Sequence, residues 1–323
     1  MANFIFNVKP DSFVATALQV FGHQAIQNPV FSGYLQQLQV KPGDVQSLEQ
    51  IPPLPISFFK THRVATFTEE PAIIFTSSGT TGQHTSRHFV PQTAWYEQSF
   101  ELAFEQAYGP ASDFVWLCLL PAYLERSGSS LIYMADHFIR HSAHAESGFF
   151  LNADDSLLQA IEQCRQQGKK AILLGVTFAL LDFAERHAGL DLGHLIVMET
   201  GGMKGRRQEL TRSEVHEQLK QAFNLRQIHS EFGMTELMSQ AYSFGNGIYQ
   251  PPPWMRMMVR NEEDPFQLSA TGAGVLVIID LANYYSCSFI ETQDVGRVHA
   301  DGSFEVLGRI DLSDIRGCSL LVV

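Results

Sequence analysis

Positive charge is scarce in this chain. Its 323 residues carry 22 Lys and Arg against 34 Asp and Glu, a formal net charge of −12. A charge of that sign repels nucleic-acid backbones and anionic membrane surfaces, which argues against either as a partner. Cysteine is sparse too. The four present, Cys118, Cys164, Cys287 and Cys318, show no Cys-x-x-Cys spacing, so they are expected to be reduced thiols of a cytoplasmic protein. Long apolar runs are missing. The longest covers the eleven residues 171–181, whereas a membrane span needs roughly twenty. The first residues hold no basic n-region and no long apolar h-region, so no signal peptide is expected. What remains is globular composition, 45% hydrophobic and 17% charged. At about 150 residues per domain that allows two domains or one large α/β domain.

Short apolar runs alternate with helix-like segments over the first two thirds of the chain. The runs are residues 72–75, 114–120, 170–176 and 195–198. The helical segments are 93–108, 155–167, 178–187 and 212–223, preceded by one over 11–27 with Asp11 or Ser12 as its N-cap. Runs apolar throughout suit strands buried on both faces, and their alternation with helices predicts a mainly parallel sheet. After a Gly/Pro-rich break at 246–253, β-like runs follow at 255–260, 274–281, 286–290, 296–299 and 303–307, with Asp301-Gly302 as a two-residue hairpin signal. The expected organisation is an α/β core over residues 1–245, with a helical lead-in, and a small antiparallel β-rich subdomain and tail over 246–323.

The most informative segment follows the run at 72–75. It is Thr76, Ser77, Ser78, Gly79, Thr80, Thr81 and Gly82, a stretch made only of Gly, Ser and Thr. Glycines let backbone N–H groups approach an oxyanion closely, and hydroxyls add donors. It is not a Walker loop, since its glycines are three apart and no Lys follows.

This loop resembles the phosphate loop of the acyl-adenylate-forming superfamily, which includes acyl-CoA ligases, luciferase-like enzymes and adenylation domains. Further likenesses occur in the family's order. Gly201-Gly202 ends a strand-like run, where the family sets backbone against adenine. Glu231-Phe232-Gly233-Met234-Thr235-Glu236 looks like its aromatic-Gly-x-Thr-Glu motif. Thr292-Gln293-Asp294 looks like its Thr-Gly-Asp, and Gly308-Arg309-Ile310-Asp311 like its Gly-Arg-x-Asp hinge. The resemblance implies the family's α/β N-terminal domain, with ATP and Mg²⁺ as cofactors. Glu236 would hold Mg²⁺ through a hard carboxylate oxygen, and Thr235 would hydrogen-bond the α-phosphate. Phe232, beside Gly233, would stack on adenine. Asp294 would accept from the ribose hydroxyls, and Arg309 could reach ribose or phosphate. Each such charged hydrogen bond is worth roughly 1.5–3 kcal/mol.

Three departures from the family pattern matter. Gln83-His84-Thr85-Ser86-Arg87 replaces the usual Pro-Lys after the loop. Leu120-Pro121-Ala122-Tyr123 leads into Leu124 where the family often has His. The chain ends twelve residues after Asp311, so the family's mobile C-terminal domain, with its catalytic lysine, is expected to be absent. The acyl-protein synthetases of the luminescence fatty-acid reductase system resemble this pattern best. In that branch a fatty acid is activated and then carried on a cysteine near the C-terminus, and Arg316-Gly317-Cys318-Ser319-Leu320 is similar to its tail. The resemblance implies a carboxylic acid, fatty or other acyl, as substrate, Cys318 as nucleophile, and an acyl-accepting reductase, transferase or carrier protein as partner. Two other readings stay open: an acid–thiol ligase for coenzyme A or a carrier that needs a partner chain, and a scaffold that only binds nucleotide or acyl ligand. Cys318 could equally be a small buried residue, and Lys204 a surface residue or a stand-in for the missing lysine. Cys118, Cys164 and Cys287 are expected in the core, the last on a strand. His137, His141 and His144 share helical spacing that permits metal binding. With no Cys beside them, they are expected to form an exposed or satisfied face.

Overall fold

The computed structural model describes residues 4–77, 85–120, 128–151, 155–201, 210–261 and 267–310. Among them the helices are α1 (Phe13–Gln27), α2 (Pro29–Gln37), α3 (Phe58–Thr61), α4 (Thr93–Tyr108), α5 (Ser130–His141), α6 (Asp155–Gln167), α7 (Thr177–Arg186) and α8 (Arg212–Phe223). The strands are β1 (Leu54–Pro55), β2 (Ile73–Thr76), β3 (Arg87–Val90), β4 (Val115–Leu119), β5 (Gly148–Phe150), β6 (Ala171–Val176), β7 (Ile196–Thr200), β8 (His229–Phe232), β9 (Ala241–Ser243) and β10 (Ile248–Gln250), followed by β11 (Met255–Arg260), β12 (Leu268–Ser269), β13 (Gly272–Asp280), β14 (Phe289–Val298) and β15 (Phe304–Arg309).

One large sheet runs β12-β11-β13-β14-β15-β10-β9-β8-β7-β6-β4-β5, with β1 beside β14. From β5 to β8 the pairs are parallel; from β8 onward through β12 they are antiparallel. Every residue of β4 and β6 is buried, as strands covered by helices on both faces must be. The covering helices bring aromatics: Trp116 of β4 stacks on Phe138 of α5 at 4.4 Å, and Phe104 of α4 packs 4.9 Å from Trp116. Local signals set the helix ends. Thr211 and Glu214 close a capping box on α8, and Gly109, at φ +89°, ends α4. Asn28 caps α2, an element the apolar spacing did not reveal, by accepting from Val30 N–H and Phe31 N–H.

Several expectations need correction. The run at 72–75 is not a strand of the parallel sheet. Ile73–Thr76 pairs antiparallel with Arg87–Val90 as a separate two-stranded sheet, and of its residues only Phe75 is buried. Short apolar runs do not say which sheet they join. The runs at 286–290 and 296–299 do not form two strands but one, Phe289–Val298. Gly296 interrupts the apolar pattern without breaking the strand, because an added Cβ there would sit 2.2 Å from the Glu305 carbonyl oxygen. The register shift beside it marks a bulge. Cys287 lies before this strand, in the turn. The Asp301-Gly302 hairpin closes a three-residue loop rather than a two-residue one: His299 N–H donates to the Ser303 carbonyl at 2.8 Å, with Gly302 at φ +85°. Finally, α5 ends at His141, so His144 is not on the helix. His137 Nε2 lies 2.6 Å from Glu101, and its ring stacks on His141 at 3.9 Å.

No helix among the described residues is long and apolar enough to cross a membrane.

Candidate active site

The hydroxyl-rich stretch begins at the end of β2, which pairs with β3 as a hairpin. Its stem closes through Ser77 N–H to the Ser86 carbonyl, 3.1 Å, and Ser86 N–H to Ser77 Oγ, 2.9 Å. Ser78, Gly79, Thr80, Thr81 and Gly82 lie outside the described residues. Thr76 N–H donates to the Gly128 carbonyl at 2.8 Å. Gly128 sits at φ +89°, and a Cβ there would come within 2.8 Å of Thr76 Oγ1 and 3.2 Å of the Ile74 carbonyl. Only glycine fits that approach at that dihedral.

Thr235 and Glu236 form a turn just past the end of β8. Leu237 N–H closes it onto the Met234 carbonyl. Buried groups grip the turn from two sides. His88, on the strand leaving the hydroxyl loop, donates from Nδ1 to the Thr235 carbonyl at 2.9 Å, while its Nε2 faces Ser286 Oγ at 2.9 Å. Burial pushes the His88 pKa down to about 4, so the ring is neutral and one nitrogen is free to accept. Asn283 Nδ2 donates to the Glu236 carbonyl at 2.8 Å, and Asp280 accepts from Met238 N–H and Ser239 N–H. Burial raises Asp280 to about 6 despite these donors.

Glu236 is itself buried. Burial raises its pKa, against a hydrogen bond with Ser86 and the positive charges of Arg309 and Lys60. The contact with Ser86 joins this carboxylate to the stem of the hydroxyl loop. A buried hard oxygen with its charge disfavoured suits a divalent cation, whose field would restore ionisation. Mg²⁺ is commonly held by one or two carboxylates plus substrate phosphates, and Glu236 fits that role.

Asp294 and Arg309 face each other across β14 and β15, with Arg309 Nε 3.6 Å from Asp294 Oδ1. The guanidinium side chain is 72% exposed and the carboxylate 16%, so the arginine can leave for an incoming anion while the aspartate stays. Burial raises the Asp294 pKa, opposed by Arg309 and Arg212. Thr292 Oγ1 holds the strand here, accepting from Asp294 N–H at 3.1 Å. Arg212, at the start of α8, reaches Glu199 Oε1 at 3.1 Å and the Val306 carbonyl at 3.4 Å. For buried Glu199, desolvation works upward, but His216 and Arg212 outweigh it and hold the pKa below the usual range.

Gly201 follows β7 at φ +72°, exposed, its carbonyl accepting from Thr177 Oγ1 at 2.7 Å. Gly202 lies outside the described residues. Phe232 is 8% exposed, with its ring 5.2 Å from Phe304 and 5.7 Å from Tyr249. A Cβ on Gly233 would come within 2.6 Å of Glu231 Oε1, so a larger residue there would push the Glu231 carboxyl aside. The structure thus brings together Thr76, Ser77, Thr235 and Glu236 at the hairpin stem, with Arg309 and Asp294 beside them.

No protein-family model matches the chain, and no curated protein matches it in sequence. Solved structures do match. A 2-hydroxyisobutyryl-CoA ligase, in the postadenylation state with 2-HIB-AMP, is similar with a TM-score of 0.64 at 13% identity, over 93% of this chain and 68% of that one. The chain has the fold of the adenylate-forming N-terminal domain. A long-chain-fatty-acid-CoA ligase from Archaeoglobus fulgidus gives 0.51 at 15% identity, over 78% of this chain and 54% of its own. An o-succinylbenzoate coenzyme A synthetase from Bacillus subtilis, in complex with AMP, gives 0.50 at 16%, over 76% and 63%. The chain therefore spans between 54% and 68% of the length of these structures.

Within this adenylate-forming fold, sequence reasoning missed Lys60, Ser86, His88 and Arg212 as neighbours of the site. Ser86 carried one signal, since Ser86-Arg87 resembles the acyl-protein synthetase branch; the others carried none. Cys318 and Lys204 lie outside the described residues. The other three cysteines are buried. Burial raises Cys118 and Cys164 and pushes Cys287 up to about 12, so none of these thiols is a ready nucleophile.

Proposed function

We propose that the protein activates a carboxylic acid with ATP, forming acyl-AMP and releasing pyrophosphate, and then passes the acyl group to a thiol. The observation that carries this reading is the Ser86–Glu236 contact with Arg309 and Asp294 beside it. It joins Ser86, Glu236 and the Asp294–Arg309 pair beside the turn just past the carboxyl end of β8, and open α/β sheets bind ligands at the carboxyl ends of their strands.

In the first step a substrate carboxylate oxygen attacks the α-phosphorus, and the bond from that phosphorus to pyrophosphate breaks. No proton moves. Thr235 hydrogen-bonds the α-phosphate, and the hydroxyls and N–H groups of residues 76–82 carry charge on the departing phosphates. Magnesium, when bound, supplies neutralisation of those phosphates, and Glu236 holds it. Phe232 and Gly201-Gly202 take the adenine, Asp294 accepts from the ribose, and Arg309 swings from Asp294 toward phosphate. In the second step a thiolate attacks the acyl carbon and AMP leaves. The thiol proton goes to solvent. We assign the acceptor to Cys318, as in the acyl-protein synthetases this tail resembles, with Arg316 favouring the thiolate. A tail that delivers its own sulfur makes the attack intramolecular. The acyl group then moves on to a reductase, transferase or carrier protein.

Hydroxylamine added to protein, ATP, Mg²⁺ and acid should trap acyl hydroxamate. Intact-mass spectrometry should find an acyl adduct that disappears in Cys318→Ser. Full turnover onto coenzyme A by that variant would move the acceptor off the chain, and no hydroxamate over a broad acid panel would remove the activity itself.

A further inference from the structure

Phe232 and Glu231 are neighbours on β8, so their side chains leave opposite faces of the sheet. Phe232 joins the Tyr249–Phe304 side. On Glu231's side, strand register sets Thr200 of β7 and Tyr242 of β9 directly beside it. Gln240, two residues before Tyr242, approaches the same spot: its Nε2 would lie 3.5 Å from a Cβ on Gly233, and Glu231 Oε1 2.6 Å from it. Tyr96 of α4 covers them, and its hydroxyl lies 3.3 Å from Gln240 Nε2. All five residues are less than a tenth exposed.

Two polar atoms of this buried group find no match among the described residues. Thr200 Oγ1 donates to Glu231 Oε2. The Tyr96 hydroxyl donates to the Ser130 carbonyl, so it must accept from Gln240 Nε2. Among the described residues that leaves Gln240 Oε1 unmatched, and the Tyr242 hydroxyl has no partner either. No cation contributes to the environment of Glu231 among the described residues; its charged neighbour is Glu199, which repels it. Buried polar atoms are nearly always paired, and leaving one unpaired is costly. Gln240 Oε1 and the Glu231 carboxyl group can accept from a group outside the chain, and the Tyr242 hydroxyl can accept from it or donate to it.

The place fits a substrate's far end. The cluster starts one residue before Phe232 and four before Thr235. Aromatic rings lead from it toward the end of β2, with Phe75 at 5.0 Å from Tyr96 and 5.7 Å from Tyr133. Phe75 immediately precedes Thr76.

We propose that Glu231, Gln240 and Tyr242 select an acid that carries a hydrogen-bond donor, an amino or hydroxyl group, on its body rather than a plain hydrocarbon acid. The inference rests on the acid-activating reading above. The carboxylate lies at the Thr76–Thr235 end, the body runs along Phe75, Tyr96 and Tyr133, and its N–H or O–H meets Gln240 Oε1 and the Glu231 carboxyl group. Tyr242 turns its hydroxyl to the same substituent.

The test is ATP–pyrophosphate exchange with acids in matched sets: benzoate against 3-hydroxy-, 4-hydroxy- and 4-aminobenzoate, and hexanoate against 6-hydroxy- and 6-aminohexanoate. In at least one set a donor-bearing member should exceed its hydrocarbon parent by about tenfold or more in kcat/KM. Preference for amino over hydroxyl would identify the donor as an ammonium met by ionised Glu231. Gln240→Leu and Tyr242→Phe should each shrink that ratio. Tyr242→Phe should do so with an unfolding midpoint at or above that of the wild type, since its hydroxyl has no partner to lose. Hydrocarbon members equal to or better than their counterparts in every set, or ratios unmoved by both variants, would overturn this proposal while leaving acid activation standing. Exchange with no acid at all would overturn both.

Discussion

Replacing Glu231 by glutamine isolates the cost of burying its charge. Glutamine keeps the shape and still accepts from Thr200, but it never ionises. In the native protein burial, with Glu199 nearby, pushes the Glu231 pKa up from 4.5 to about 7. Below pH 4.5 the group is protonated whether the chain is folded or not, and it carries no penalty. As pH rises through 7 the folded form must ionise a carboxyl group in a poor environment, and stability is lost. At about 1.4 kcal/mol per pKa unit the full loss is up to about 3 kcal/mol. Urea unfolding of wild type and Glu231→Gln, without substrate, should therefore give curves that meet near pH 4.5 and separate as pH rises. By pH 8 the variant should be the more stable by up to about 3 kcal/mol. Subtracting the two removes the contributions of Asp280 and His88, which titrate in overlapping ranges. A constant difference from pH 4.5 to 8 would refute the reasoning, as would a variant less stable at pH 8.

His88→Leu should lose about 1–3 kcal/mol near neutral pH, by leaving the Thr235 carbonyl without its donor, and urea unfolding reads it. Because the His88 pKa falls to about 4 on folding, the wild type should lose stability as pH drops from 6.5 through 4, and His88→Leu should show less of that loss. Gly128→Ala should cost about 1–3 kcal/mol from its φ of +89° and should lower pyrophosphate exchange by displacing Thr76. Tyr242→Phe should raise stability by about 1 kcal/mol, since it removes a buried hydroxyl without a partner; a loss above about 1 kcal/mol would mean that hydroxyl is paired.

Much of the fold was legible because local chemistry decided it. The helices over 93–108, 155–167 and 212–223 and the strand over 255–260 coincide with their expected bounds, since apolar spacing, caps and a terminal glycine all agree there. Strand partnership was less legible. Ile73–Thr76 reads like a parallel-sheet strand but pairs with Arg87–Val90, and nothing in four apolar residues encodes that choice. Around the site, motifs supplied Glu236, Asp294 and Arg309, but not what surrounds them. Ser86 meets Glu236 across 150 residues, and His88 grips Thr235 across 147. Such contacts are properties of topology, not of sequence spacing. The polar cluster at Glu231 was hidden for the same reason. Its members come from β7, β8, β9 and α4, and each alone is an ordinary residue.

The most direct measurement of the central claim is acid-dependent ATP–pyrophosphate exchange by the full chain, compared with Glu236→Gln and Asp294→Asn at matched folding. Exchange that requires acid and Mg²⁺, falls by about a hundredfold or more in Glu236→Gln, and shows a raised KM for ATP in Asp294→Asn is the predicted result. Exchange that persists at the wild-type level in both variants would contradict the account.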